Sequence, residues 1–360
     1  MKKIIFKRIY SLSFIFAVVV AVFGIIYVVN STTIGTDIST TNLTISGNVG
    51  IGTTTPSAKL DVVGRISQTG LGYSTFVGYQ AGQNDDLSNN YNTAFGYQSL
   101  YSNATGTYNT ANGYKALYTN NGGRSNTAIG NEALINNTMG DANTAIGVGA
   151  LYDNTTGEFN TASGAGALGF NTTGSYNAAN GYETLSFNTT GNYNTVYGYR
   201  ALYYSQTGSN NTVIGGYAGF GTTNYSFSSS TIIGYYAGAS LTTGSANLLL
   251  GFNTGGSLTT GSRNIIIGYN TDTPTSTTSD FLNIGDVIYG DLSTGKVGIG
   301  TTTPATALHL YKTASTTLMI GASNKTACII MGDSDGSGLT YVIANDGVLT
   351  ATTTKPSICE

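Results

Sequence analysis

Few side chains in this sequence are suited to acid–base or nucleophilic chemistry. The single histidine, His309, lies between Leu308 and Leu310 in an alternating pattern that is typical of a β-strand. A catalytic serine or cysteine needs a histidine base that a third group holds in place, and no such set can be assembled around His309. The zinc-binding H-E-x-x-H motif is also missing. The sequence therefore predicts no catalytic residue and no enzyme.

Motifs for metals and cofactors are equally weak. Residues 333–338, Asp-Ser-Asp-Gly-Ser-Gly, resemble the start of a calcium loop but lack the acidic residue that closes one, so a turn is expected. The many glycines are not set in the strand–loop–helix unit that a nucleotide fingerprint requires. We expect no metal site and no cofactor. Cys328 and Cys359 form one disulfide or remain two thiols, and the sequence leaves both open.

Tyrosine is the residue type whose placement points most clearly to binding. The chain has 26 tyrosines, and many of them follow a glycine at a regular spacing. An exposed tyrosine presents an apolar ring and a hydroxyl, which suits contact with a protein or a glycan. The candidate ligand-facing residues are Tyr97, Tyr114, Tyr182, Tyr199, Tyr235 and Tyr269. Alternatively, these rings pack over the chain itself or between two chains.

The tyrosines belong to a repeat that extends over residues 74–290. Its best copies read Asn-Thr-Ala-x-Gly-Tyr-x-Ala-Leu-x-x-Asn-Thr-Thr-Gly-x-Tyr, and we call Asn-Thr-Ala-x-Gly the word. The thirteen word glycines are Gly78, Gly96, Gly113, Gly130, Gly147, Gly164, Gly181, Gly198, Gly215, Gly234, Gly251, Gly268 and Gly285. Ten of their twelve intervals are 17 residues, which is too short for a helix pair. Gly, Asn and Thr also disfavour helix. The sequence predicts an all-β solenoid, or β-roll, of about thirteen 17-residue coils.

Strand alternation assigns an inside and an outside to each coil. The third residue of the word is Ala or aliphatic in most copies and is predicted to point inward, whereas the variable fourth residue points outward. A leucine four residues after the word glycine, from Leu100 to Leu202, supplies a larger apolar side chain. A second glycine, ten residues after the word glycine as in Gly123, is predicted to adopt positive φ in a tight turn.

Asparagine recurs as regularly as glycine. The first residue of the word, from Asn92 to Asn211, is expected to form an amide ladder that satisfies backbone groups from coil to coil. The repeat also produces Asn-x-Thr triplets at Asn103, Asn154 and Asn188, which would accept glycans only in a host that modifies such sites.

Two segments break the 17-residue period. Residues 83–91 contain one extra residue and the acidic pair Asp85 and Asp86, and residues 222–230 contain two extra residues and no turn glycine. Both are predicted to be surface loops, which on a rigid scaffold are common places for recognition.

A second motif flanks the repeat. Gly-x-Val-Gly-Ile-Gly-Thr-Thr-Thr-Pro occurs at residues 47–56 and again at 295–304. Each box predicts a strand, a Thr-Pro turn and a second strand, as in a cap of a repeat array. The predicted domains are cap boxes at 47–73 and 291–310, the solenoid head at 74–290, and a small C-terminal β module at 311–360. Candidate strands of that module are 318–320, 328–331 and 341–343.

The chain begins with four basic residues and an apolar run. Residues 9–29 are long enough to span a bilayer, and the basic flank belongs on the cytoplasmic side, which places the rest of the chain outside. No small-x-small cleavage site follows, so residues 1–30 are predicted to be an uncleaved signal-anchor, with a Thr-rich linker at 31–46. A cleaved signal peptide is the alternative.

Composition excludes a nucleic-acid partner and argues against disorder. Charged residues make up 9% of the chain and the net charge is −3, so there is no basic surface for phosphates. Hydrophobic residues make up 40%, whereas a disordered chain combines low hydrophobicity with high charge.

The word Asn-Thr-Ala-Ile-Gly, at residues 126–130 and 143–147, resembles the YadA-like head repeat of trimeric autotransporter adhesins. That resemblance implies a left-handed β-roll and a homotrimer. The two flanking boxes are similar to segments of phage tail-fibre and bacterial surface-fibre proteins. The 17-residue period is longer than the usual head repeat, and no coiled-coil stalk or outer-membrane barrel follows, so anchoring falls to the N-terminal segment.

The expected function is that of a non-enzymatic, membrane-anchored fibre or adhesin at the cell surface. It would present its Asn/Thr/Tyr surface to cells, glycans, proteins or other copies of itself. One alternative is a glycan-binding protein of phage tail-fibre type, although such a fibre has no use for a signal-anchor. Another is an ice-binding solenoid, whose Thr ladder would comprise Thr93, Thr110, Thr127, Thr144 and Thr161.

Overall fold

The computed structural model describes residues 49–51, 56–62, 73–86, 88–222, 225–311, 327–332, 339–345 and 348–352. Every helix or strand assigned in these ranges is a β-strand. Within them, no helix has the length and apolar character needed to cross a membrane. The predicted membrane segment at 9–29, the linker at 31–46, the candidate strand at 318–320, the turn at 333–338 and Cys359 lie outside the described residues.

Thirteen strands come from the repeat, one from each copy. They are β3 (Thr75–Val77), β4 (Thr93–Phe95), β5 (Thr110–Asn112), β6 (Thr127–Ile129), β7 (Thr144–Ile146), β8 (Thr161–Ser163), β9 (Ala178–Asn180), β10 (Thr195–Tyr197), β11 (Thr212–Ile214), β12 (Thr231–Ile233), β13 (Leu248–Leu250), β14 (Ile265–Ile267) and β15 (Phe281–Ile284). Two further strands, β1 (Val49–Ile51) and β2 (Leu60–Val62), precede them and pair in parallel with each other.

The repeat strands stack in parallel and in register. Each residue of the word pairs with the same residue of the next copy, as Thr110 pairs with Thr127 and Ala111 with Ala128. This arrangement confirms the predicted all-β solenoid. Its turns number about twelve rather than thirteen, because thirteen stacked strands, β3 to β15, enclose twelve turns of chain.

The chain reverses direction after the last repeat. Strand β15 pairs antiparallel with β16 (Ile288–Asp291), which pairs antiparallel with β17 (Lys296–Ile299). Strand β17 then pairs in parallel with β18 (Leu308–Leu310). The two flanking boxes therefore fold alike, since Val49 pairs with Leu60 and Val297 with Leu308, an offset of 11 residues in both. The two predicted strands of each box are confirmed, and residues 52–55 in the turn of the first box lie outside the described residues.

Three antiparallel strands follow in the C-terminal part: β19 (Ala327–Gly332), β20 (Leu339–Asn345) and β21 (Val348–Thr352). The candidate strands at 328–331 and 341–343 lie within β19 and β20. Strand β21 was not predicted. Its sequence, Val-Leu-Thr-Ala-Thr, carries only a short apolar stretch.

The inside of each coil is filled as the alternation predicts. In the typical strand the middle residue is buried and its neighbours are exposed or half-buried, as at Ala128 between Thr127 and Ile129. The leucine four residues after the word glycine is fully buried in every copy from Leu100 to Leu202.

These leucines have an unusual backbone. Leu134, for example, has φ of 52°, a left-handed conformation that costs an ordinary L-residue about 1–2 kcal/mol. The turn lets its N–H donate to the carbonyl of Ala150 on the next coil at 3.0 Å. Burial of a leucine side chain stabilises by about 1.5–3 kcal/mol, which offsets the cost.

The prediction of positive φ at the second glycine is wrong. None of these glycines is among the residues with positive φ, and the left-handed conformation lies two residues later, at positions such as Tyr108 and Ser125. Glycine is required there for a different reason. A Cβ on Gly123 would lie 2.6 Å from the carbonyl oxygen of Gly140 on the next coil, closer than atoms can approach. The glycine allows the coils to stack.

The prediction that both irregular segments are surface loops is also wrong for their central side chains. Asp85 is only 9% exposed, and Tyr225 and Phe227 are 2% and 0% exposed. The Tyr225 hydroxyl donates to the carbonyl of Gly219, and burial raises the pKa of Tyr225 well above its usual value. These segments therefore contribute to the core: burial stabilises the apolar rings of Tyr225 and Phe227, and hydrogen bonds from Asn92 and Asn103 offset the hydration that Asp85 loses.

Candidate binding surface

Two buried asparagine ladders support the surface. In the first, the word asparagine accepts from the backbone of the following coil: the Asn143 N–H donates to Asn126 Oδ1 at 2.9 Å. The Asn126 Nδ2 donates to the Gly140 carbonyl at 2.8 Å. The predicted amide ladder is confirmed, and it satisfies backbone groups that would otherwise be buried without partners.

The second ladder was not predicted. It comprises Asn103, Asn120, Asn137, Asn154, Asn171 and Asn188, all with 0% exposure. Within it, Asn137 Nδ2 donates to Asn120 Oδ1 at 2.7 Å and to the Gly140 carbonyl at 3.1 Å. The sequence signal for this ladder is the recurring Asn-Thr-Thr-Gly turn, whose asparagine is the ladder residue. The asparagines of the Asn-x-Thr triplets lie in this ladder, so in the folded chain they are not accessible to glycan attachment.

The first irregular segment lies where both ladders begin, whereas at the second the first ladder continues from Asn211 through Ser230 to Asn247. Asp85 Oδ2 accepts from Asn92 Nδ2 at 3.2 Å and from Asn103 Nδ2 at 3.3 Å, so one carboxylate closes both ladders. At its other end the second ladder reaches Ser205, and neither Asn188 Oδ1 nor Ser205 Oγ has a hydrogen-bond partner in the described part of the chain.

The six candidate tyrosines lie on the outside of the coils. Their exposed fractions range from 42% for Tyr114 to 71% for Tyr269. Rings one coil apart stack on each other: Tyr97 and Tyr114 have ring centroids 5.4 Å apart and planes 11° apart, and so do Tyr182 and Tyr199. Because the coil spacing matches the spacing of offset-stacked rings, the repeat stacks them without further adjustment.

The row of word tyrosines is not continuous. Asn131, Val148 and Ala165 take the place of tyrosine in three consecutive copies, and Gly216 does so in a later one. The expected stripe is therefore divided into segments.

Two further aromatic rows run along the coils. One lies at the turn before the word and includes stacked rings at Tyr91 and Tyr108, with centroids 5.2 Å apart. The other follows the buried leucine and includes Phe170 and Phe187, with centroids 4.8 Å apart. This last row was not predicted, because its aromatic residues alternate between two neighbouring sequence positions.

The cations of this surface are held against the rings. Arg200 Nε lies 2.7 Å from Glu183 Oε2, and its guanidinium is 5.2 Å from the Tyr203 ring centroid. The hydrogen bond to Glu183 raises the pKa of Arg200, and a hydrogen bond to Glu183 also raises the pKa of Tyr182. Lys115 Nζ lies 5.2 Å from the Tyr118 centroid. Such contacts are typical cation–π pairs.

The outer face of the strands carries two different ladders. In the first coils it carries threonines that pair in register, Thr93 with Thr110 and onward to Thr161. In the last coils it becomes aliphatic. We call this part the aliphatic face, and its residues are Ile233, Leu248, Leu250, Ile265, Ile267, Leu282 and Ile284. All are half-buried or exposed, with Leu250 at 40%.

The residues considered for chemistry lie apart from these rows. His309 lies in β18, and its Nδ1 accepts from the Ala305 N–H at 3.3 Å. Cys328 lies in β19, whereas Cys359 is outside the described residues, so the disulfide stays a prediction. Among the residues that the structure describes, no three His, Cys, Asp or Glu side chains are grouped to hold a metal.

Comparison of the chain with protein-family models, with curated proteins and with solved structures gives no match, so these surfaces are interpreted from their own chemistry.

Proposed function

We propose that this protein is a non-enzymatic fibre or adhesin displayed at the cell surface. The observation that carries the proposal is the set of exposed, stacked aromatic rows on a hydrogen-bonded solenoid. A rigid array that repeats one weak contact on every coil binds a repetitive surface tightly, because many contacts form at once. Its ligands would be glycans or proteins of a cell or surface, or other copies of this chain.

The proposal includes an anchor and an assembly. Residues 1–30 would act as the signal-anchor in the membrane and keep the solenoid outside. By their resemblance to head repeats of trimeric adhesins, the coils would wind left-handed and three chains would associate. The aliphatic face supports self-association, since a flat apolar sheet face is poorly suited to water and fits the same face of another copy.

Protease treatment of intact cells that express the chain tests its location. A protease added outside should cleave the solenoid, and cells that carry the chain should attach to a surface to which control cells do not attach. If the protease cleaves only after lysis, the protein is not displayed and the proposal fails.

The in-register threonine ladder favours ice binding as a second candidate. However, the neighbouring outward positions vary from Phe95 to Asn112 and Ile129, which makes the face uneven. Thermal hysteresis that disappears when Thr127 and Thr144 are replaced by tyrosine would support this candidate. A glycan receptor of tail-fibre type would use the same solenoid without a membrane anchor. Cleavage by the protease only after the cells are lysed would favour this candidate.

A further inference from the structure

A groove interrupts the aromatic rows in the middle of the solenoid. Its floor consists of Gly149, Gly166 and Gly169. Other copies carry side chains at these repeat positions: Lys115 corresponds to Gly149, and Tyr118 corresponds to Gly169. The gap in the word tyrosines falls in the same coils. The missing side chains therefore leave one depression rather than scattered gaps.

Aromatic rings form the walls of this groove. Tyr152 and Phe170 are 36% and 46% exposed, and Phe187 and Tyr203 also line it. Phe170 stacks on Phe187 with planes 27° apart, which presents a broad apolar surface. The groove is partly open to solvent, so it suits a chain that enters and leaves rather than a small enclosed ligand.

The groove also contains one hydroxyl group. Ser186 lines it and is 5% exposed, but its Oγ is not among the described buried oxygens that lack a hydrogen-bond partner, so this hydroxyl reaches solvent. The Ser186 Oγ lies 3.6 Å from the place that a Cβ on Gly169 would occupy, beside the glycines of the groove. It can therefore exchange a water for a hydroxyl of a ligand.

The groove has no unpaired charge. Its one carboxylate, Glu183, is paired with Arg200 at 2.7 Å. An anionic or cationic ligand would lose hydration here and gain no opposite charge.

We propose that this groove binds a neutral oligosaccharide. The proposal rests on the adhesive function proposed above and names its ligand class. The C–H face of a sugar ring stacks on aromatic walls, whose faces carry negative charge density. The sugar hydroxyls can hydrogen-bond the Ser186 hydroxyl in place of water, and an open groove accommodates successive sugar units.

The test uses the full chain, purified in a detergent without sugar headgroups, on an array of immobilised neutral, sialylated and sulfated oligosaccharides. Gly149→Gln places a side chain in the groove at a φ of 62°, where Gln98 of another copy has 53°, and the nearest atom to the new Cβ is 3.9 Å away. We expect binding of neutral glycans to fall at least tenfold.

Ser186→Ala, which adds nothing that could disturb folding, should weaken binding of neutral glycans about two- to tenfold, as expected for one hydrogen bond. The matched control is Asn253→Gln, at the repeat position of Gly149 but outside the groove, and it should bind like the unmodified protein.

Three outcomes would overturn the inference: no binding of neutral glycans, binding of charged glycans or peptides alone, or neutral binding that Gly149→Gln and Ser186→Ala leave unchanged. Attachment of cells is measured in parallel. If cells still attach while no neutral glycan binds, the groove inference fails and the adhesive function stands. If glycans bind but cells do not attach, the adhesive function fails.

Discussion

Buried amide side chains occupy much of the interior of each coil. The asparagines of the second ladder from Asn103 to Asn171 both donate and accept through their side chains, so loss of one of them leaves its neighbours without hydrogen-bond partners. Asn137 donates to Asn120 and accepts from Asn154 Nδ2 at 2.8 Å. Because the low-dielectric interior penalises an unpaired polar group, the ladder acts as a unit rather than as separate bonds.

Replacement of Asn137 by alanine tests this at a single residue. We expect Asn137→Ala to lower the free energy of unfolding by about 2–4 kcal/mol, since it removes the amide and leaves both a cavity and unpaired groups. Denaturant unfolding followed by circular dichroism measures the change. Asn131→Ala, on the exposed surface of the same coil, is the control and should change stability by less than about 0.5 kcal/mol. Equal effects of both changes would show that the ladder is dispensable.

At the scale of one coil, the side chains at two core positions vary together in size: where one is larger, the other is smaller. In the early coils alanine at the middle of the strand is combined with leucine in the turn, as in Ala128 and Leu134. In the later coils the strand carries Ile232 or Leu249 and the turn carries glycine, as at Gly238. A Cβ on Gly238 would lie 2.8 Å from Leu249 Cδ1, so the larger strand residues fill the space of the missing leucine. The larger strand residue therefore replaces most of the volume of the missing leucine.

A double-mutant cycle tests this exchange. Ala128→Ile alone should destabilise by about 1–3 kcal/mol through overpacking, and Leu134→Gly alone by about 3–5 kcal/mol through a cavity. The double mutant should lose at least about 1 kcal/mol less stability than the sum of the two single losses, because the new isoleucine fills the cavity. Unfolding midpoints of the four proteins measure the coupling. Ile129→Ala, exposed next to Ala128, is the control and should be nearly neutral. Additive losses would mean that the two positions do not share space.

At the scale of the whole molecule, the aliphatic face is an apolar surface that contact with another chain would remove from water. We expect the full chain to be a homo-oligomer, with a trimer as the proposed state. Leu250→Lys should lower the mass of the detergent-solubilised protein in light scattering, since a lysine on a flat apolar contact must be desolvated without a counter-charge. Ile146→Lys alters the same word position of an earlier coil, where Ile146 is 43% exposed, and should leave the mass unchanged. A monomer before any substitution would contradict the assembly proposal.

The whole chain is also expected to be insensitive to pH over a wide range. Hydrogen bonds from Ser293 and Thr294 lower the pKa of Asp291 to about 2, and Arg263 lowers the pKa of Asp280. A lowered carboxyl pKa stabilises the fold above about pH 4, its unfolded value, and that contribution is lost as the pH falls further. Burial raises the pKa of Tyr225, so its contribution is present below about pH 10 and is lost as the pH rises. The melting temperature should therefore change little from about pH 5 to 9 and fall outside this range. A steep change near pH 6 to 7 would contradict this expectation.

The sequence by itself determined the solenoid, its strands and its inside and outside. A 17-residue period with Ala, Asn and Gly at constant places leaves no other way to bury one apolar residue per strand and to satisfy stacked backbone groups. The first asparagine ladder followed from the same repeat, whereas the sequence left open whether the tyrosines are exposed or packed. Only the tertiary structure decided the rest, because it depends on contacts between coils. The turn glycine is needed for the approach of the next coil and not for its own φ, which no single copy reveals. Asp85 lies inside because both ladders begin there, and Tyr225 lies inside because the second ladder ends at Ser205, with which it pairs. The groove exists because glycines that are 17 and 3 residues apart in sequence, Gly149, Gly166 and Gly169, become neighbours when the coils stack.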